Sequence, residues 1–230
     1  MSATSTAEHT HPLHLRQMMV DCQIRTFDVT DQRVLTRMLD VPRDIFVPSN
    51  LSALAYSDAA FSIGDKGERA LLTPIILARL LQEAEIGPQD RILDVAGGNG
   101  YTAALAAGLG ASVVALEDIS EFSAQTRKNS AALGLDNISA VTGPLKEGVS
   151  AQAPFDVIII NGVVADGLDL LLAQLAPHGR LLTLMSDAHM GRAVKAVRYD
   201  NFGTGCSQRW LFNASGSALR AFAKKPAFRF

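Results

Sequence analysis

The chain has 230 residues, 48% of them hydrophobic and 19% charged, with a formal net charge of −2. That length fits one α/β domain with an N-terminal extension, and the apolar content supports a sizeable core. The near-neutral balance excludes a general nucleic-acid or membrane-surface binder, which needs clustered positive charge.

Cys22 and Cys206 are the only cysteines, which points to a reducing compartment rather than a disulfide scaffold. Met1 to Pro12 is polar and has no apolar signal-peptide segment. No apolar run reaches the ~18 residues of a membrane span. A cytoplasmic protein is expected. His9, His11 and His14 cluster in this arm with no second type of ligand nearby, so no metal site is expected.

Residues 1–17 read as a disordered arm. Met18 to Ile24 is a short amphipathic segment. Thr30 reads as the N-cap of a helix through Leu39, with Val34, Leu35, Met38 and Leu39 on one face. Val41-Pro42 ends it, because proline disfavours helix in the residue before it. A polar, glycine-containing loop runs from Gly64 to Arg69. Thr73-Pro74 is an N-cap with proline at the first helical position. Ile75, Ile76, Leu77, Leu80 and Leu81 mark the helix that follows, and Gly87-Pro88 stops it. Residues 18–90 are read as a helical region that covers the substrate.

From residue 91 the rhythm alternates between strand and helix. Ile92–Val95, Val113–Leu116, Ile138–Val141, Val157–Ile160 and Leu181–Leu184 read as strands, several of them continuous apolar runs of the kind parallel sheets bury on both faces. Tyr101–Leu109, closed by Gly110, and Glu121–Leu133, with Ser120 as N-cap and Gly134 just past the end, read as helices. Leu168–Leu175 leads into the fifth strand. Ala193–Tyr199 and Arg209–Phe212 read as edge strands, with Trp210 and Phe212 in the core. Residues 91–230 thus form a doubly wound, mostly parallel sheet of Rossmann-like class.

The first strand ends in Asp94-Val95-Ala96-Gly97-Gly98-Asn99-Gly100-Tyr101, and the second in Glu117. This follows the pattern acid-x-small-x-Gly-x-Gly. Absent side chains at 98 and 100 let a ligand lie against backbone. Asp94 is placed to meet an ammonium, and Glu117 to accept from both hydroxyls of a ribose. Together they read as a site for S-adenosylmethionine (SAM). Gly98 to Ala103 also fits the dinucleotide pattern G-x-G-x-x-A. Asp94 is the discriminator, since a carboxylate before the turn suits a cation and is unhelpful beside a pyrophosphate. The cofactor-binding set is Asp94, Ala96, Gly97, Gly98, Asn99, Gly100, Tyr101, Glu117, Asp118, Gly143, Pro144, Leu145 and Asn161. Glu117 is expected to serve the ligand alone, so that its loss leaves the stability of the protein without ligand unchanged.

The order of motifs resembles the protein-L-isoaspartate O-methyltransferase family, from about Met18 to about Arg180. The resemblance is carried by Met19-Val20 through Gln23-Ile24, Asp31 to Leu35, Val41-Pro42-Arg43-Asp44-Ile45-Phe46-Val47-Pro48, Ala55 to Asp58 and Ser62-Ile63-Gly64. It implies a class I SAM-dependent fold and methylation of isoaspartyl carboxylates in damaged proteins or peptides. The ester then collapses to a succinimide that can reopen as aspartate. Two departures stand out. Where the family loop has Gly-Gln-Thr-Ile-Ser-x-Pro, this chain has Glu68-Arg69-Ala70-Leu71-Leu72-Thr73-Pro74, with Leu72 in place of the active-site serine. Where the family has Gly-Asp near the adenine, this chain has Gly143-Pro144. Thr73 and Arg69 are therefore the catalytic candidates, Thr73 as a neighbouring hydroxyl and Arg69 as a partner for a substrate carboxylate. The bland alternatives are a helix cap for Thr73 and a solvated loop charge for Arg69. A related small acceptor, or a SAM-binding relative without catalysis, stays open, as does a nicotinamide-dependent oxidoreductase.

Overall fold

In the computed structural model, which describes residues 12–187, 190–198 and 205–224, the chain opens with helix α1 (Pro12–Met18). This runs on as a π-helical stretch, Met19–Ile24, and a 3-10 turn, Arg25–Phe27. Residues 12–17, expected in a disordered arm, are thus helical. The reason is Arg16, a buried guanidinium that donates to the carbonyls of Leu39 (2.7 Å) and Asp40 (3.1 Å). Those two carbonyls end α2 (Gln32–Asp40). The α2 N-cap is Asp31, not Thr30: the Asp31 carboxylate accepts from Arg33 N–H and Val34 N–H, while the Thr30 N–H donates to Gln82 Oε1. His9 and His11 lie outside the described residues, as does Tyr199.

Two 3-10 turns, Arg43–Phe46 and Ser49–Leu54, lead to an antiparallel hairpin of β1 (Phe61–Ile63) and β2 (Arg69–Leu71). The expected polar loop is the tip of this hairpin, whose strands are too short to announce themselves by alternation. Helix α3 (Pro74–Ala84) starts where Thr73 accepts from the Ile76 N–H. It ends at Glu85, which is left-handed. The carbonyls of Ala84 and Glu85 accept from Arg180, which also pairs with Asp90 (2.6 Å).

The main sheet contains β3 (Arg91–Val95), β4 (Ser112–Glu117), β5 (Ile138–Thr142), β6 (Phe155–Val164), β7 (Leu175–Asp187), β8 (Met190–Arg198) and β9 (Cys206–Asn213). Their order is β5-β4-β3-β6-β7-β8-β9. The first five are parallel, and β8 and β9 add antiparallel pairings. Helices α4 (Tyr101–Ala107), α5 (Ser120–Ala132) and α6 (Asp169–Ala173) lie between them. The chain leaves β3 towards β4 and β5, then returns to β6 on the other side. The switch point between β3 and β6 opens a crevice at the strands' carboxyl ends.

Successive side chains alternate between two faces. Ile92, Val157, Ile159 and Leu182 pack with Met19, Leu35, Met38 and Leu77 of the N-terminal region. Leu93, Val95, Ile158, Ile160 and Leu181 face the opposite core. Burial on both sides is why these strands are continuous apolar runs.

Several boundaries differ from expectation. Helix α4 stops before Gly108 because Arg37 takes the carbonyls of Ala104 and Leu105. Ser120 is the first residue of α5 and not its cap; its hydroxyl turns to Glu121. Gly134 does close α5: its N–H reaches the Ala131 carbonyl and that of Leu135 reaches Ser130. Strand β8 is interior, and of these two only β9 lies at an edge. Trp210 is 44% exposed under Arg192 and is not core, and Phe212 lies half-buried beneath Arg79. Among the described residues no helix is long and apolar enough to cross a membrane, and no His, Cys, Asp or Glu cluster is placed to hold a metal ion.

Arg180 joins the end of α3 to β7 through two carbonyls and one carboxylate. Arg180→Ala is expected to cost about 2 kcal/mol in urea unfolding, and a loss under about 0.5 kcal/mol would show that this clamp carries little.

Candidate active site

Asp94 and Glu117 end neighbouring strands, β3 and β4, on the face that the N-terminal region covers. Both are buried, at 1% and 2% exposure. The turn after Asp94 uses left-handed backbone at Ala96 (φ 58°), Gly98 (φ 68°) and Gly100 (φ 93°). At 98 a side chain is excluded twice, by the positive φ and because a Cβ would strike Ile63 of the hairpin. At 97 a Cβ would strike the Asp94 carboxylate. The turn is tied down by Asn99, whose amide donates to the Phe46 carbonyl (2.6 Å). Asn129 and Thr126 donate to the carbonyls of Asn99 and Gly98.

Asp94 is braced on one oxygen. Its Oδ1 accepts from Asn161 Nδ2 (2.6 Å), which also donates to the Val95 carbonyl. Thr102 donates to Asn161 Oδ1 and so fixes the amide's orientation. Asn161 is therefore a positioning residue inside β6. Asp94 Oδ2 is buried with no hydrogen-bond partner among the described residues. Burial pushes the Asp94 pKa up to about 7; the Asn161 bond and the Ala103 backbone N–H oppose the rise, and the nearby Glu117 adds to it. An orphaned carboxylate oxygen calls for a cationic N–H donor and repels a pyrophosphate, so the residues fit the ammonium of SAM better than a dinucleotide.

Glu117 is not waiting for a ligand, contrary to expectation. Its Oε1 accepts from the Gly98 N–H, and its Oε2 accepts from Arg69 Nε (3.0 Å) and Nη2 (2.9 Å). Arg69 Nη2 also pairs with Asp118, and Nη1 donates to the Glu68 carbonyl. Arg69 is thus neither a solvated loop charge nor a guanidinium aimed at substrate; it is 7% exposed and fully engaged. Burial pushes the Glu117 pKa up to about 7, and Arg69 and the Gly98 N–H hold it back. Removing Glu117 would strand both donors, so its loss is expected to cost stability after all.

Beside Glu117, a groove of about 540 Å³ is lined by Asp118, Thr142, Gly143, Pro144, Leu145, Lys146 and Ala221. It lies where an adenine is expected. The Gly143 N–H is committed to the Glu117 carbonyl and the Pro144 carbonyl to Glu147, so this wall offers chiefly apolar contact.

Tyr101, expected among the cofactor contacts, is a core residue. Its ring packs on Phe46 (5.1 Å) and under the Arg43 guanidinium (4.9 Å). Thr73 is occupied as the α3 cap. Leu72 is buried, and its side chain lies against Gly216. Sequence reasoning missed three contributors. Arg43, fully buried, donates to the Leu72 carbonyl (2.8 Å) and the Ala59 carbonyl; its place in the Pro-Arg-x-x-Phe-Val-Pro stretch was the available signal. Thr102 sits one residue past the turn. The segment after β9 covers the end of β6, with Val163 bridging Ala218 and bonding Ser217 and Leu219; no motif marks it.

The sequence profile of the protein-L-isoaspartate(D-aspartate) O-methyltransferase family matches residues 15–204. The chain belongs to this family. A Koribacter versatilis protein-L-isoaspartate O-methyltransferase is 40% identical over 167 residues, 73% of this chain and 74% of the relative. One from Methanoculleus marisnigri is 35% identical over 183 residues, 80% and 82% of the two chains. A solved protein-L-isoaspartate O-methyltransferase superposes with TM-score 0.76 at 21% identity, over 90% of this chain and 67% of its own. A Plasmodium falciparum member in complex with S-adenosyl-L-homocysteine gives 0.75 at 19% identity, over 90% and 98%. At such identities these two structures show the shared fold.

The Asp94 carboxyl titrates from its ordinary 3.8 when unfolded to about 7 when folded. The folded state then binds the extra proton, so folding stability falls as pH rises from about 4 to about 7. Asp94→Asn is expected to reduce that slope in urea unfolding and to raise stability at about pH 8; an unchanged slope would show that Asp94 is not the group responsible.

Proposed function

We propose that this chain transfers a methyl group from SAM to the carboxylate of isoaspartyl residues in proteins or peptides, the reaction for which its family is named. The observation that carries the reading is the buried, half-satisfied Asp94 carboxylate beside Glu117 at the switch point of a chain from this family. Asp94 would hold the methionine ammonium, Glu117 the ribose hydroxyls, and the groove from Thr142 to Lys146 the adenine.

SAM supplies an activated methyl when bound, so the protein's task is alignment and exclusion of water. The acceptor carboxylate is ionised at neutral pH and needs no strong general base. That requirement agrees with a site in which Thr73 is committed to its helix and Leu72 is apolar. Arg43 holds the Leu72 carbonyl and so sets the backbone of the acceptor loop against the glycine turn. The C-terminal segment around Ala218 closes the far side.

Leu72 favours one second reading, a SAM-binding protein with another acceptor or none. Methyl transfer from labelled SAM to a peptide with one isoaspartate, beside the same peptide with aspartate, separates the two. Selective labelling of the isoaspartyl peptide is expected. SAM binding without labelling would support the second reading, and no SAM binding would contradict both.

A further inference from the structure

The ribose end of the site is filled by the protein's own side chain. Both Glu117 oxygens are engaged, Oε1 by the Gly98 N–H and Oε2 by Arg69, and the pair is buried. Arg69 has a second anchor in Asp118, a third acceptor in the Glu68 carbonyl and the Phe122 ring 5.8 Å from its guanidinium carbon. Its strand partner Ile63 packs directly over Gly98. With Oε2 taken by two Arg69 nitrogens and Oε1 already accepting from Gly98, a ribose diol finds no two-oxygen acceptor at Glu117 while Arg69 stays in place.

The element that carries Arg69 is built to move more readily than the sheet. Strands β1 and β2 pair over three residues each, and the tip, Gly64 to Glu68, is exposed. A two-stranded hairpin of this size is marginally stable by itself. Glu117, by contrast, is fixed at the end of β4, where it pairs with Thr142 of β5.

We propose that Arg69 is an internal competitor for the ribose subsite and thereby sets the affinity of the cofactor site. Glu117 exchanges Arg69 for the ribose hydroxyls, and the β1–β2 hairpin shifts with the released guanidinium. The inference rests on the SAM reading above and adds a residue that opposes binding. The exchange costs a buried ion pair, so removing Arg69 in advance removes that cost.

The test is calorimetric binding of S-adenosylhomocysteine to wild type and to Arg69→Gln. It is done at about pH 8.5, above the value of about 7 to which burial raises Glu117 with Arg69 in place. Arg69→Gln is expected to bind about tenfold tighter. Equal or weaker binding overturns the proposal, and absence of binding by both proteins overturns the cofactor reading itself. Should Arg69→Gln fail to fold, the wild type carries the test. In 15N-arginine-labelled protein, the Arg69 Nε–H held by Glu117 is expected to be protected from exchange with water, and to lose that protection at saturating S-adenosylhomocysteine. Protection that persists in the bound protein would show that ligand and Arg69 share Glu117, and would overturn the competition.

Discussion

Burying two carboxylates side by side at the ends of adjacent parallel strands is the constraint around which the rest of the molecule is arranged. Moving an ionised carboxyl out of water is costly unless it is paired or hydrogen-bonded. The sheet order forces the situation, because β3 and β4 are neighbours and both acids fall on the same face. Each acid meets its own partial remedy. Asp94 has Asn161, oriented in turn by Thr102. Glu117 has the Gly98 N–H and Arg69. Burial outweighs both remedies, and both groups titrate near neutrality instead of near 4.

The N-terminal region makes this burial possible. It does not merely lie over the strand ends; it shares the core of one sheet face, from Met19 to Leu77. Its Pro-Arg-x-x-Phe-Val-Pro stretch reaches the site twice. The Phe46 carbonyl receives Asn99 from the glycine turn, and Arg43 joins the Leu72 carbonyl to the Tyr101 ring. A motif that reads in the sequence as a family signature is physically a splint between the glycine turn and the loop that carries Leu72. Leu72 belongs to that same packed layer, which is how the chain accommodates an apolar residue at the end of this loop.

Much of this was legible in advance, for reasons that can be traced to particular residues. The apolar runs of β3, β4, β6 and β7 and the glycines announced the sheet and the tight turn after β3, because parallel burial and bare backbone leave strong patterns. Asp94 and Glu117 were recognisable from strand-end position alone. What stayed hidden depends on contacts between distant segments. Arg69 looked like a loop charge because three-residue strands carry no periodicity, and nothing local reveals that its guanidinium meets Glu117 and Asp118. Tyr101 sits in the turn, yet its ring belongs to Phe46 and Arg43. Asn161 was ambiguous until Asp94 and Thr102 were seen on either side of it. Trp210 was assigned to the core from hydrophobicity, but an edge strand leaves it open to solvent.

The most direct test of the central claim is the proton balance of SAM binding, measured by calorimetry in buffers of different ionisation enthalpy. Asp94, which titrates near neutrality, must shed protons as the methionine ammonium arrives beside it. Binding at about pH 7 is expected to release about half a proton, with the release vanishing by about pH 9. SAM binding with no proton release at about pH 7 would contradict a site built on a buried, partly protonated Asp94.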